Sequence, residues 1–189
     1  QRLFADVALH LYRDGTDIRV VGANATGEPL AGALRLWRLD AEGYVYGYWE
    51  LPSTLAAGNG VRLFDLDGLY DEVVDRAREW LYAEFAMRGA TLAAAHLLFC
   101  PLAELHVQPG EIAVGATPLA PGRWRLALEV SAPTPLLEIE ADGRALYSDN
   151  YFALIPGRRK GVIITSLEAE PPAALRLTIT AWGGAPAPR

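Results

Sequence analysis

Ser148-Asp149-Asn150-Tyr151-Phe152-Ala153-Leu154-Ile155-Pro156-Gly157 is a kink, a strand and a turn written in ten residues. Its first three side chains are short and polar and bond readily to nearby backbone, which favours a kink over a regular element. Tyr151 to Ile155 form an apolar run of strand length, and Pro156-Gly157 stops it with turn chemistry. Upstream, Leu136 to Ala141 and Arg144 to Tyr147 flank Asp142-Gly143, a pair that predicts a tight hairpin. Downstream, Gly161 to Thr165 is a further β-branched run. Local chemistry alone therefore predicts one antiparallel β unit.

The pattern continues in both directions. Trp124, Leu126, Leu128 and Val130 alternate with polar residues and predict one buried strand face. Leu175 to Trp182 alternates strictly and closes the unit, with Trp124 and Trp182 expected in its core. His106 to Gln108 and Ile112 to Ala116 are read as its opening strands. In the first half, residues 4 to 12 place Val7, Leu9 and Leu11 on one face, and Asp14-Gly15 turns the chain into Ile18 to Gly22. Leu34, Leu36 and Arg38 alternate against Arg35, Trp37 and Leu39, and Tyr44 to Trp49 follows a turn at Glu42-Gly43. Leu69, Val73 and Ala77 share helical spacing, which predicts one helix of two or three turns over 69–79. Trp80 to Met87 and Ala90 to Phe99 return to strand pattern. Strands at this spacing, separated by turn signals, predict a mainly β chain of two tandem antiparallel sandwiches, the first with one short helix. The expected division is 1–102 and 103–183, with a flexible tail over 184–189.

Composition bounds the function. The 189 residues are 51% apolar and 21% charged, the balance of a folded globular chain. A net charge of −6 with scattered basic residues leaves no electrostatic footprint for nucleic acid or an anionic membrane. The longest apolar run, Ala90 to Cys100, is interrupted by His96 and is too short to span a bilayer. Cys100 is alone, so no internal disulfide forms. The chain opens at Gln1 and its only methionine is Met87, so a processed product or an excised piece of a longer polypeptide is expected, the excised piece being the favoured reading.

No catalytic, cofactor or metal motif emerges. Asp65-Leu66-Asp67-Gly68 begins like a calcium loop but lacks the later acidic ligand. His10, His96 and His106 stand far apart without paired cysteines, and Arg158-Arg159-Lys160 reads as a solvated hairpin tip. The aromatic run is more suggestive. Tyr44, Tyr46 and Tyr48 fall on one face of a strand, with Trp49 and Val45 on the other. Such a stripe either packs across strands or offers flat rings to a sugar, so these three are the candidate contacts for a carbohydrate.

With these residues in view, the ten-residue stretch resembles the last immunoglobulin-like domain of family 2 β-mannosidases and related exo-β-glucosaminidases. Ser148, Asp149, Asn150, Tyr151, Phe152, Pro156 and Gly157 carry that signature, with a structural role. Ala153 departs from it, standing where an acidic residue is usual. The opening Phe4-Ala5-x-Val7-x-Leu9 and the segment His96 to Leu102 are similar to the same region of those enzymes. The resemblance implies two tandem immunoglobulin-like β-sandwiches, partnered in the parent chain by a catalytic (β/α)8 barrel. Retaining glycosidases need two carboxyl groups about 5–5.5 Å apart, carried in that family by the barrel, so this chain alone is expected to be inactive. Two other functions compete: a carbohydrate-binding module whose tyrosine face (Tyr44, Tyr46 and Tyr48) takes the mannose-containing glycan that the resemblance implies, and an adhesion or spacer pair.

Overall fold

The computed structural model describes residues 6–108, 110–168 and 174–182. The chain divides into two compact units between Leu105 and His106. Both are built from antiparallel strands, and each has one three-stranded and one four-stranded sheet.

In the first unit the strands are β1 (Val7–Asp14), β2 (Asp17–Asn24), β3 (Leu30–Asp40), β4 (Val45–Leu55), β5 (Gly60–Leu66), β6 (Glu79–Met87) and β7 (Ala90–Leu98). One sheet has the order β1-β2-β5 and the other β4-β3-β6-β7. Apolar residues at alternate positions face each other between them: Val7, Leu9, Ile18 and Val20 from the first sheet, Leu34, Leu36, Leu81 and Phe85 from the second. Removing such side chains from water contributes about 1.5–3 kcal/mol each. The β1–β2 connection is a two-residue turn whose Gly15 has φ +65°, a left-handed value that favours glycine. β1 begins at Val7 and runs on to Asp14; Phe4 and Ala5 lie outside the described residues. β6 differs from the expected alternation, because both its faces are buried from Glu79 to Ala86. It is an interior strand, flanked by β3 and β7.

The helix expected over 69–79 is a single turn, α1 (Leu69–Glu72). Two β-branched residues follow, and branching at Cβ disfavours helix. Val73 turns extended (φ −74°, ψ 114°) and is buried, while Val74 is 94% exposed. Asp75 then organises a separate turn. Its carboxylate accepts the Ala77 N–H, its carbonyl accepts the Arg78 and Glu79 N–H groups, and its own N–H goes to the Glu79 carboxylate. The helical spacing of Leu69 and Val73 was real, but these local bonds compete it out.

The second unit has β8 (Ile112–Ala120), β9 (Arg123–Val130), β10 (Thr134–Ala141), β11 (Ala145–Tyr147), β12 (Phe152–Leu154), β13 (Lys160–Ser166) and β14 (Leu177–Trp182). Its sheets have the orders β11-β13-β9-β8 and β12-β10-β14. Leu126, Leu128, Leu137, Ile139, Leu154, Val162 and Ile164 form its core. His106 to Gln108 is not a strand. The hairpin predicted at Asp142-Gly143 is also overturned: β10 and β11 belong to different sheets, so this turn carries the chain across the sandwich. Gly143 still needs its φ of +79°, but the partners on either side are set by burial and not by the turn. Trp124 is buried as expected, whereas Trp182, expected in the core, is 43% exposed. The tail expected over 184–189 lies outside the described residues.

Candidate functional site

Two groups of residues gather chemistry that plain packing does not require. The first is the corner from Ser148 to Gly157. Ser148 exchanges two bonds with Ile163 of β13: its N–H donates to the Ile163 carbonyl and its Oγ accepts the Ile163 N–H, both at 2.9 Å. Asn150 does the equivalent for the other sheet. Its Nδ2 donates to the Ile139 carbonyl and its Oδ1 accepts the Ile139 N–H, each at 2.8 Å. β12 pairs with β10 at Leu137↔Phe152, so Asn150 stands where the next paired residue would be. Its side-chain amide continues the sheet after the backbone has turned away. The turn falls at Tyr151, whose φ is +57°, a costly conformation for a bulky residue.

Between these two anchors, Asp149 makes an ion pair with Lys160, and the Lys160 ammonium lies 4.9 Å from the Phe152 ring centre. Both charged side chains are largely buried, so their attraction is little screened. Outside, Glu138 accepts the Tyr151 hydroxyl at 2.8 Å and the Trp182 indole N–H at 2.9 Å. That bond to a carboxylate raises the Tyr151 phenol above its ordinary value. Pro156 and Gly157 (φ +74°) are the central residues of a turn in which the Arg158 N–H reaches the Ile155 carbonyl, the pattern of a type II turn. Arg158-Arg159-Lys160 is thus not uniformly solvated; Lys160 belongs to the corner. A related device sits across the sandwich, where the Tyr147 hydroxyl accepts the Ala141 N–H at 2.8 Å.

The second group is aromatic. Tyr44, Tyr46 and Tyr48 are 64%, 47% and 48% exposed, but they do not form one stripe. An irregularity in the β3–β4 pairing leaves Tyr46 without a partner residue, between Arg38↔Gly47 and Leu39↔Val45. This bulge splits the tyrosines into two sets. Tyr48 leans on Trp37 at 5.2 Å between ring centres, and Trp37 leans on Tyr82 at 5.7 Å. Tyr44 and Tyr46 meet edge to face at 4.7 Å. The Tyr46 hydroxyl donates to Asp40 Oδ2 at 3.1 Å, while Asp40 Oδ1 accepts the N–H groups of Glu42 and Tyr44. Desolvation and the bond to Asp40 push the Tyr46 phenol up. The Tyr48 hydroxyl donates to Glu50, which Arg35 also holds; the two together lower the Glu50 carboxyl. Asp40 and Glu138, the organisers of these sets, were not singled out from sequence. The Asp40-Ala41-Glu42-Gly43 turn chemistry was the available signal for the first; Glu138 left none.

Other candidates resolve into structure. Asp65 and Asp67 both pair with Arg19, which also holds Asp14 and Asp17, so this acidic cluster is organised around a guanidinium of the chain itself. Among the described residues no group of three or more His, Cys, Asp or Glu side chains is placed to hold a metal ion. Burial raises the Cys100 thiol, which works against thiolate formation. No helix among the described residues is long and apolar enough to cross a membrane.

Residues 107–181 match the Ig_mannosidase family model, an Ig-fold domain. The match falls within the second unit, whose antiparallel sheets are those of an Ig fold, and the resemblance carried by Ser148 to Gly157 lies inside it. Among solved structures, the chain is similar to a β-D-mannosidase from Dictyoglomus thermophilum, with TM-score 0.78, 16% identity, and coverage of 97% of this chain and 22% of that one. It is also similar to an exo-chitosanase from Amycolatopsis orientalis, with TM-score 0.68, 12% identity, and coverage of 93% and 26%. These likenesses are of fold, over both units. The chain spans about a quarter of the length of these two enzymes. No curated protein matches it.

Proposed function

We propose that this chain is the non-catalytic C-terminal part of a β-mannosidase-like exo-glycosidase of family 2, bracing a catalytic barrel and shaping the rim of its active site. The observation that carries this reading is the mannosidase-type Ig-fold match over 107–181. The fold likeness to the β-D-mannosidase over 97% of the chain supports it. The chain's own chemistry agrees, since the buried carboxylates Glu79 and Glu84 are engaged by Arg38 and Arg35 and serve the fold.

The test has two parts. The coding frame upstream of Gln1 should encode a barrel with two strand-end glutamates, and the longer product should hydrolyse an aryl β-mannoside or β-glucosaminide while this chain alone does not. A start codon or export signal immediately before Gln1 would overturn the reading. The exposed rings of Tyr44, Tyr46 and Tyr48 favour a second function, carbohydrate binding. Their tilted arrangement supports single-ring stacking more than a flat platform. Calorimetric titration with manno-oligosaccharides decides it, and the absence of both heat and tyrosine spectral change removes it.

A further inference from the structure

β8 is the most exposed strand of the second unit. Among the described residues it lies at the edge of its sheet, hydrogen-bonded to β9 alone, and every residue from Ala113 to Ala120 is exposed. Its nine residues, Ile112-Ala113-Val114-Gly115-Ala116-Thr117-Pro118-Leu119-Ala120, contain no charge. Natural edge strands are ordinarily guarded by charges, prolines, bulges or cover, because unpaired N–H and C=O groups template pairing with another strand; in β8 the proline (Pro118) and the irregularity between Pro118 and Ala120 both lie at the C-terminal end, which leaves Ala113 to Thr117 unguarded. The exposure also has the wrong sense for a solvent-facing element. Val114 and Ala116 stand opposite Leu128 and Leu126, both fully buried, so they point to the core side of the sheet. Val114 is nevertheless 44% exposed. The facing sheet has three strands against four, and β8 overhangs it.

We propose that β8 is a self-association edge, on which two copies of this chain pair antiparallel about Gly115. Three features of the strand fit a second copy. Its side chains near the centre are small, so two such strands meet without clash. Pro118 has no N–H and stands opposite Trp124, so the residues of its parity, Val114 and Ala116, are the ones that aim their backbone groups at the free edge. Pairing about Gly115 sets Val114 against the partner strand's position 116 and keeps Pro118 near the end, where a missing donor costs least.

The charge pattern selects the same register. On the outer face of β9, Arg125 lies beside Thr117 and Glu129 beside Ala113. About Gly115, position 117 of one strand meets position 113 of the other. Arg125 and the partner's Glu129 then lie in one cross-strand row, three spacings of about 4.8 Å apart, with only Thr117 and an alanine between. Both are long side chains, and the row occurs twice by symmetry. Glu129 has an exposed ion pair with Arg159 at 3.5 Å, a contact easily exchanged for the new one.

Sedimentation velocity of this chain from about 1 to about 200 µM spans the range in which a small interface shows itself; a monomer–dimer equilibrium is expected. V114K places a charge on the overhanging side and should leave a monomer with unchanged circular dichroism. Register is read by cross-linking in a Cys100→Ser background. A Cβ at Gly115 meets only the Ala127 carbonyl, at 4.0 Å, so G115C should fold, and across the two-fold its Cα atoms would be about 4.5 Å apart, within disulfide reach. G115C should form a disulfide dimer on mild oxidation and A113C should not. A monomer throughout the concentration range, a dimer indifferent to V114K, or equal cross-linking at 113 and 115 would each overturn the proposal.

Discussion

Asn150 shows how one side chain can do the work of a strand. Its amide supplies the donor and acceptor that Ile139 would otherwise find in a neighbouring backbone. Asn150→Ala should leave both Ile139 groups unpaired and cost about 2–6 kcal/mol, since each unsatisfied buried polar group costs about 1–3 kcal/mol. Asn150→Asp keeps the acceptor and loses the donor, so it should fall between; urea unfolding of the three chains checks the order. At Tyr151 the φ of +57° is held by its neighbours, including the hydroxyl bond to Glu138. Tyr151→Phe should therefore destabilise by about 0.5–1.5 kcal/mol and remove a phenol that ionises above the ordinary tyrosine range, which ultraviolet pH titration detects.

At the scale of elements, β6 is the strand on which the first unit depends. It is buried on both faces, yet it carries two glutamates that its neighbours must neutralise. Arg38 of β3 holds Glu79 at 2.7 Å and also donates to the Glu72 carbonyl at the end of α1. One guanidinium thus ties β3, β6 and the single helical turn together. Glu79→Ala strands Arg38 with 11% of its side chain exposed, and breaking such a pair should cost about 3–5 kcal/mol. Replacing both partners with apolar residues should recover much of that, and a double-mutant cycle by thermal unfolding measures it. β7 adds a pH dependence. Desolvation depresses the His96 imidazole below its usual 6.5, so the unfolded chain binds this proton before the folded one. Stability should be level above about pH 6.5 and fall as the pH drops below it. His96→Gln should flatten that part of the profile, read from unfolding midpoints between about pH 7 and 5.

At the scale of the molecule, each unit is a four-on-three sandwich, and the two arrive at it by different means. The first fills its interior with large aliphatic and aromatic side chains. The second has a smaller core and uses side chain–backbone bonds from Ser148, Asn150 and Tyr147 to complete its sheets. The second unit should accordingly be the more sensitive to polar substitutions, and the first to truncations in its core. Phe85→Ala, at a fully buried position, should cost about 3–5 kcal/mol. Hydrogen exchange should show that loss in 6–105 and not in 110–182 if the units unfold separately.

Most strand positions and the mainly β class were legible in the chain, because they rest on period-two burial and on short-range turn chemistry. Trp124 to Val130 and Ile18 to Gly22 needed nothing more. Which sheet each strand joins was not legible. Asp142-Gly143 has hairpin chemistry, yet β10 and β11 part company because each finds a better-buried neighbour than the other. The single turn of α1 likewise reflects Asp75 and Glu79 bonding each other across a bend, and the tyrosine stripe was broken by one unpaired residue at Tyr46. A sequence pattern records what each residue prefers along the chain. Only the tertiary structure decides which preferences hold, because buried pairings form between residues the sequence does not place side by side.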